Sequence, residues 1–229
     1  MSIRTVSVDR MRMLAGMIML GSIWGLLECT LGGIKLEIMG LPVSMGAVMA
    51  GLFGIGFMVL ARKMFNTMGV ALGVALFAGI MRIFAPVGSC QLCAAIAIMA
   101  EGLIFEFFIN RKILLRNLSG SGKDYRTLVF MGMIAGFTIY ASGYILTQFL
   151  TPLVTEGIII SFSDIWGIMD LIIGRAFFAT LLGGVGLPLA AAADVLHLDV
   201  AGIKKAPYYA VSGIVSTACW TILVLVVTL

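Results

Sequence analysis

Long apolar stretches of about 20 residues, separated by short polar connectors, are the feature that most limits what this chain can become. A bilayer hydrocarbon core about 30 Å thick takes about 20 residues of α-helix. Within it each backbone N–H and C=O must be paired, which leaves helices or a closed barrel. Barrel strands alternate polar and apolar residues over about 10 positions, whereas the apolar runs here are unbroken. The chain has 229 residues, 61% hydrophobic and 11% charged. A soluble domain carries about 25% charged residues, so lipid is the solvent that accommodates this composition. The expectation is an all-α polytopic transmembrane bundle, one domain over residues 1–229, in the cell membrane. Seven spans are predicted at about 11–31, 43–61, 66–87, 92–110, 127–150, 166–190 and 207–229; six plus one short crossing is the variant considered.

Basic residues set the orientation. Arg4, Arg10, Arg12, Arg62, Lys63, Arg111, Lys112, Arg116, Lys123, Arg126, Lys204 and Lys205 share one side if seven spans are right, and only Lys35 lies opposite. The amino terminus is therefore expected in the cytoplasm and the carboxyl terminus outside. The apolar run after Arg12 reaches Leu31 without a small-x-small cleavage pattern and reads as a retained first helix. In the sixth segment, Gly183, Gly184, Gly186 and Pro188 mark a stop, a kink or the start of a short helix over 188–200.

Charged side chains inside spans are costly and mark function by default. Glu28, Arg82 and Asp170 are expected in the outer third of the bundle, with Glu101 and Arg175 near the middle. Together they would line a polar pocket that opens outward and holds a small zwitterionic or polar solute; the alternative is a set of ion pairs fastening helices. Trp24, Tyr140, Tyr144, Gln148 and Trp166 lie at matching depths, as an interfacial belt or as rings flanking the pocket. Glu106 is expected to reach toward Arg111 or Lys112 at the cytoplasmic surface.

Cys90 and Cys93, in Gly88-Ser-Cys-Gln-Leu-Cys93, sit at a helix start with Cys29 at similar depth. They offer a disulfide, a thiol centre or a soft-metal site. Cys219 reads as a packing residue. Sixteen methionines suit gap-filling in an apolar bundle. Gly21-Ser-Ile-Trp-Gly25, Gly69-Val-Ala-Leu-Gly73 and Ala47 with Gly51 have the small-xxx-small spacing that lets helices approach closely, for internal packing or for docking a partner. Leu118-Ser-Gly-Ser-Gly-Lys123 lacks the spacing of a phosphate-binding loop. The one histidine, His197, stands beside Asp194 and Asp199 as a solvated loop residue, so haem ligation by paired histidines is excluded. No nucleic-acid partner, no cofactor and no complete catalytic constellation are expected.

Three functions fit this reading: a transport subunit that captures a solute from outside, a membrane thiol oxidoreductase or thiol-metal protein, and a structural subunit of a membrane complex. The stretch Ala94-Ala-Ile-Ala-Ile-Met-Ala-Glu-Gly-Leu-Ile-Phe-Glu106, the small-residue faces of the early helices and the size near 25 kDa without an ATPase segment resemble the S components of energy-coupling factor vitamin transporters. The resemblance implies an outward cavity for a vitamin-like solute with Glu101 near it. It also implies docking of a shared transmembrane coupling subunit, driven by two ATPases, through Gly21 and Gly25. That family has six spans and an AxxxA docking motif, where this chain shows seven apolar segments and glycines.

Overall fold

The computed structural model describes residues 9–32, 34–38, 41–85, 91–109, 124–154, 165–193 and 203–228, with the side chains of the two short strands and of residues 165–171 excluded. It is an all-α bundle. Helix α1 (Arg10–Leu31) leads into a short antiparallel hairpin, β1 (Lys35–Ile38) and β2 (Leu41–Ser44), with Lys35 opposite Ser44. Then come α2 (Met45–Val48), a π-helical stretch (Met49–Gly54) and α3 (Ile55–Phe65), which run on as one apolar element of 21 residues. The remaining helices are α4 (Val70–Ile83), α5 (Gln91–Ile109), α6 (Tyr125–Val154), α7 (Ile165–Ala192) and α8 (Lys205–Thr228).

Among the described residues six helical elements are long and apolar enough to cross a membrane, and α4, with 14 residues, is shorter. At 1.5 Å per residue α4 spans about 21 Å. Its neighbours nevertheless fix it as a seventh pass through the bundle. Gly73 of α4 meets Met17 of α1, and further along Ala78 and Met81 meet Gly25, so the two helices run parallel. Against α5 the order reverses: Ala75 meets Gly102, while Gly79 meets Ala95. A helix flanked along its length by two spans need not itself match the hydrocarbon thickness.

One end of the bundle gathers the basic residues. Arg12 Nη2 donates to the Ile203 carbonyl at 3.0 Å, and the Tyr208 hydroxyl donates to the Arg12 carbonyl at 3.1 Å. Lys63 Nζ donates to the last carbonyls of α7, Ala191 at 2.8 Å and Ala190 at 3.4 Å, where a cation complements the helix dipole. Asp9 caps α1, accepting from Met11 N at 3.2 Å, and pairs with Lys205 at 3.1 Å. The starts of α1, α4 and α8 and the ends of α3, α5 and α7 therefore lie together. Arg111, Lys112, Arg116, Lys123 and His197 fall outside the described residues.

The Lys205 partnership, then the hydrogen bond from Met11, holds the Asp9 carboxyl below the ordinary aspartate range. A group with a depressed folded pKa stabilises at neutral pH, and that contribution is lost as pH falls through the folded value. Acid titration is thus expected to loosen the α1–α8 contact first at its basic end. Hydrogen exchange at Met11 and Met13 should show it, and Asp9→Asn should flatten the response.

Chain reversals follow local chemistry. Asn66 ends α3 in the left-handed region (φ 45°), its N–H bonding Arg62 O at 2.8 Å, a role asparagine fills readily. Gly69, at φ 88°, opens the turn into α4. It meets no other helix, so of the Gly69–Gly73 pair only Gly73 makes a helix contact. Nor do Gly183, Gly184, Gly186 and Pro188 break α7, which continues to Ala192 with Pro188 inside it.

Among the described residues, backbone meets backbone closely between α6 and α7. A Cβ on Gly132 or Gly183 would strike the other's carbonyl oxygen, and one on Gly136 would strike Ala179 O. Gly51 of the π-helical stretch faces the same helix, with Ala179 O 2.7 Å from where its Cβ would be. Backbones this close gain dispersion and exclude lipid. By contrast α8 is a peripheral helix packed mainly on α1 through Tyr208, Ser212, Cys219 and Leu223.

Candidate functional site: a charged cluster remote from the basic end

Trp24 and Glu28, one turn apart, share a face of α1. The Trp24 indole is completely buried against Gly54, where a Cβ would come within 2.8 Å of Cζ2. Gly54 closes the π-helical stretch, a geometry that appears most often as a local bulge near functional positions. Glu28 is 9% exposed, and the countercharge acting on it is Arg82, the penultimate residue of α4 and 8% exposed. The Trp24 N–H adds a weaker favourable interaction with Glu28, although it falls outside strict hydrogen-bond geometry.

Glu101 belongs to the same cluster from the opposite side. It is 8% exposed, and its Oε2 has no hydrogen-bond partner among the described residues. Its carboxylate feels the charge of Glu28. Gly143 of α6 makes room for it: a Cβ there would lie 3.0 Å from Glu101 Oε1. Because α5 runs antiparallel to α4, Glu101 sits level with Ala75, about two turns deeper than Arg82.

An aromatic pair continues from Gly143. Tyr140 and Tyr144 stack at 6.2 Å between ring centroids, and the Arg175 guanidinium of α7 lies 5.4 Å from the Tyr144 centroid, within cation–π range. Of the sequence-predicted set, Glu28 and Arg82 are brought together beside Trp24, and Glu101, about two turns deeper than Arg82, is reached by the Glu28 charge. Tyr144 and Arg175 adjoin through α6, and Asp170 lies on α7 with its side chain outside the described residues. Carboxylates and guanidinium groups gathered between helices in this way line solute or ion routes in membrane proteins.

The other predicted residues sit differently. Gly21 and Gly25 lie inside the α1–α4 contact, where added Cβ atoms would meet Val74 O at 2.6 Å and Met81 Cβ at 2.8 Å. Their close approach serves internal packing, and α4 occupies the face assigned to a docking partner. Cys29 is buried and free, its thiol 3.6 Å from the Met81 carbonyl, while Cys93 is disulfide-bonded. Cys90 lies outside the described residues. Among the described residues no three Cys, His, Asp or Glu side chains are grouped to hold a metal ion.

Glu106 turns inward. Its Oε1 is 3.5 Å from Arg62 Nη1, and its Oε2 accepts from Ala71 N at 3.1 Å. The expected reach toward the loop gives way because α4 begins Gly69-Val70-Ala71 with no side-chain cap. Its first N–H groups need an acceptor, and the neighbouring helix supplies one. The missing capping residue was the signal in the sequence.

No protein-family model, curated protein or solved structure matches this chain.

Proposed function

We propose that the chain is the solute-capturing subunit of a membrane transport system, binding a small polar or vitamin-like molecule from the side opposite the basic end. The observation that carries this reading is Glu28 set against Arg82 beside Trp24, with Glu101 of a third helix feeling the Glu28 charge, each of the three charged side chains more than nine-tenths buried. Each intramembrane charge costs a few kcal/mol or more at mid-bilayer. Three side chains that served only to fasten helices would do so more cheaply as apolar contacts. The rings of Tyr140 and Tyr144 add flat surface beside the charges, and Arg175 a second cation. In this reading the solute crosses as the bundle moves against partner subunits that supply the energy, and the basic end faces the cytoplasm.

Gentle purification followed by mass spectrometry of retained small molecules tests it. The wild-type chain should carry a polar molecule that Glu101→Gln and Arg82→Ala lose by at least tenfold, about 1.4 kcal/mol of binding. Equal retention by all three proteins, or none by the wild type under saturating extract, would contradict the reading.

A further inference from the structure

We propose that Glu101 is a proton-exchange site, taking up and releasing one proton at Oε2 from the aqueous side opposite the basic end. This goes beyond solute capture. Glu28 and Glu101 are both buried carboxylates, Glu101 feels the charge of Glu28, and Arg82 is the countercharge placed against Glu28. Glu101 Oε2 is buried with no hydrogen-bond donor directed at it among the described residues. A buried carboxylate without a compensating charge costs several kcal/mol.

The elements packed around Glu101 identify what can answer that charge. From α1 comes Glu28, which opposes it. Arg82 of α4 lies about two turns shallower, and the cationic Arg62 and Lys63 of α3 are committed at the basic end, to Glu106 and to the α7 carbonyls. On α6 the ionisable neighbours are Tyr140 and Tyr144. Arg175 of α7 sits on the far side of the Tyr144 ring. No three-ligand metal cluster is present among the described residues, and a Cβ added at Gly143 would already lie 3.0 Å from Glu101 Oε1. A proton is the cation that fits without a cavity. The step balances simply: hydronium transfers its proton to Oε2, an O–H bond forms, one negative charge is cancelled, and water remains.

Infrared difference spectroscopy after pH jumps, on the full chain in lipid vesicles without solute, reads this directly. One carboxylic C=O band should titrate, disappear in Glu101→Gln and persist in Glu28→Gln and Glu106→Gln. Wild-type protein offers a measurement free of folding effects. Dicyclohexylcarbodiimide, which attacks protonated carboxyl groups in apolar surroundings, should label Glu101, with labelling falling about tenfold per pH unit above its titration. A band unchanged in Glu101→Gln, a band lost only in Glu28→Gln, loss of the band on adding sodium at fixed pH, or no labelling at Glu101 would each overturn the proposal. Because no solute is present, failure here leaves the retention experiment unaffected, and the reverse also holds.

Discussion

Arg62→Ala should lower the stability of the folded bundle by about 3–5 kcal/mol, the cost of leaving one member of a buried ion pair without its partner. Arg62 and Glu106 are both almost fully buried. Glu106 also holds the first turn of α4 through Ala71 N, so the uncompensated carboxylate would sit at the junction of α3, α4 and α5. The second substitution separates charge from packing. Glu106→Gln added to Arg62→Ala removes the stranded charge and keeps an amide oxygen able to accept from Ala71 N. Unfolding in mixed micelles should then show recovery of more than half the loss. Equal instability of the single and double variants would mean that the arginine stem, not the ion pair, does the fastening.

Gly136→Val should be nearly as damaging, about 3 kcal/mol, at the upper end of the usual cost of overpacking. A Cβ at Gly136 meets Ala179 O, and Gly183 Cα lies 3.2 Å away. Both are backbone atoms of a regular helix and cannot yield as a side chain would. The control is Gly213 on α8, which has nothing within 4 Å of its added Cβ. Gly213→Ala is expected to stabilise by about 0.5–1 kcal/mol through helix propensity. Comparable losses at both positions would show that glycine content, rather than the α6–α7 seam, governs stability.

The transmembrane character was legible because it is written in period-free apolar length, which no tertiary contact can rewrite. Segment ends were read to within a few residues for most helices, since charged and turn-forming residues bound the apolar runs in the sequence. The contraction of the third segment from 66–87 to Val70–Ile83 was not legible. Apolar composition continues through Phe84 and Ala85, and only the reversal at Asn66–Gly69 and the packing between α1 and α5 set its length. The hairpin between α1 and α2 also escaped, because eight residues of mixed polarity carry little periodicity.

For the site, the individual charges were visible as exceptions in apolar runs. What they meet was not. Arg82 reaches the level of Glu28 because α4 runs parallel to α1, and Glu101 lies deeper because α5 runs antiparallel to α4, both facts of chain topology. Gly143 and Gly54, which make room for Glu101 and Trp24, looked like two of 28 glycines. Small-residue spacing left Gly21 and Gly25 open between internal packing and docking, the resemblance favoured docking, and α4 is the neighbour that occupies them. Gly132 and Gly136 have that spacing too, and it is their opposite number on α7, Gly183, that lets the two backbones meet.

Solute capture requires that Glu28, Arg82 and Glu101 be reached by water from the side away from the basic end. Labelling of Glu101→Cys in sealed, oriented vesicles with a membrane-impermeant thiol reagent measures this most directly, with the unsubstituted chain as background for Cys29 and Cys219. The prediction is modification of the new thiol from the non-basic side only, at a rate well above background. No modification from either side, or modification from the basic side alone, would contradict it.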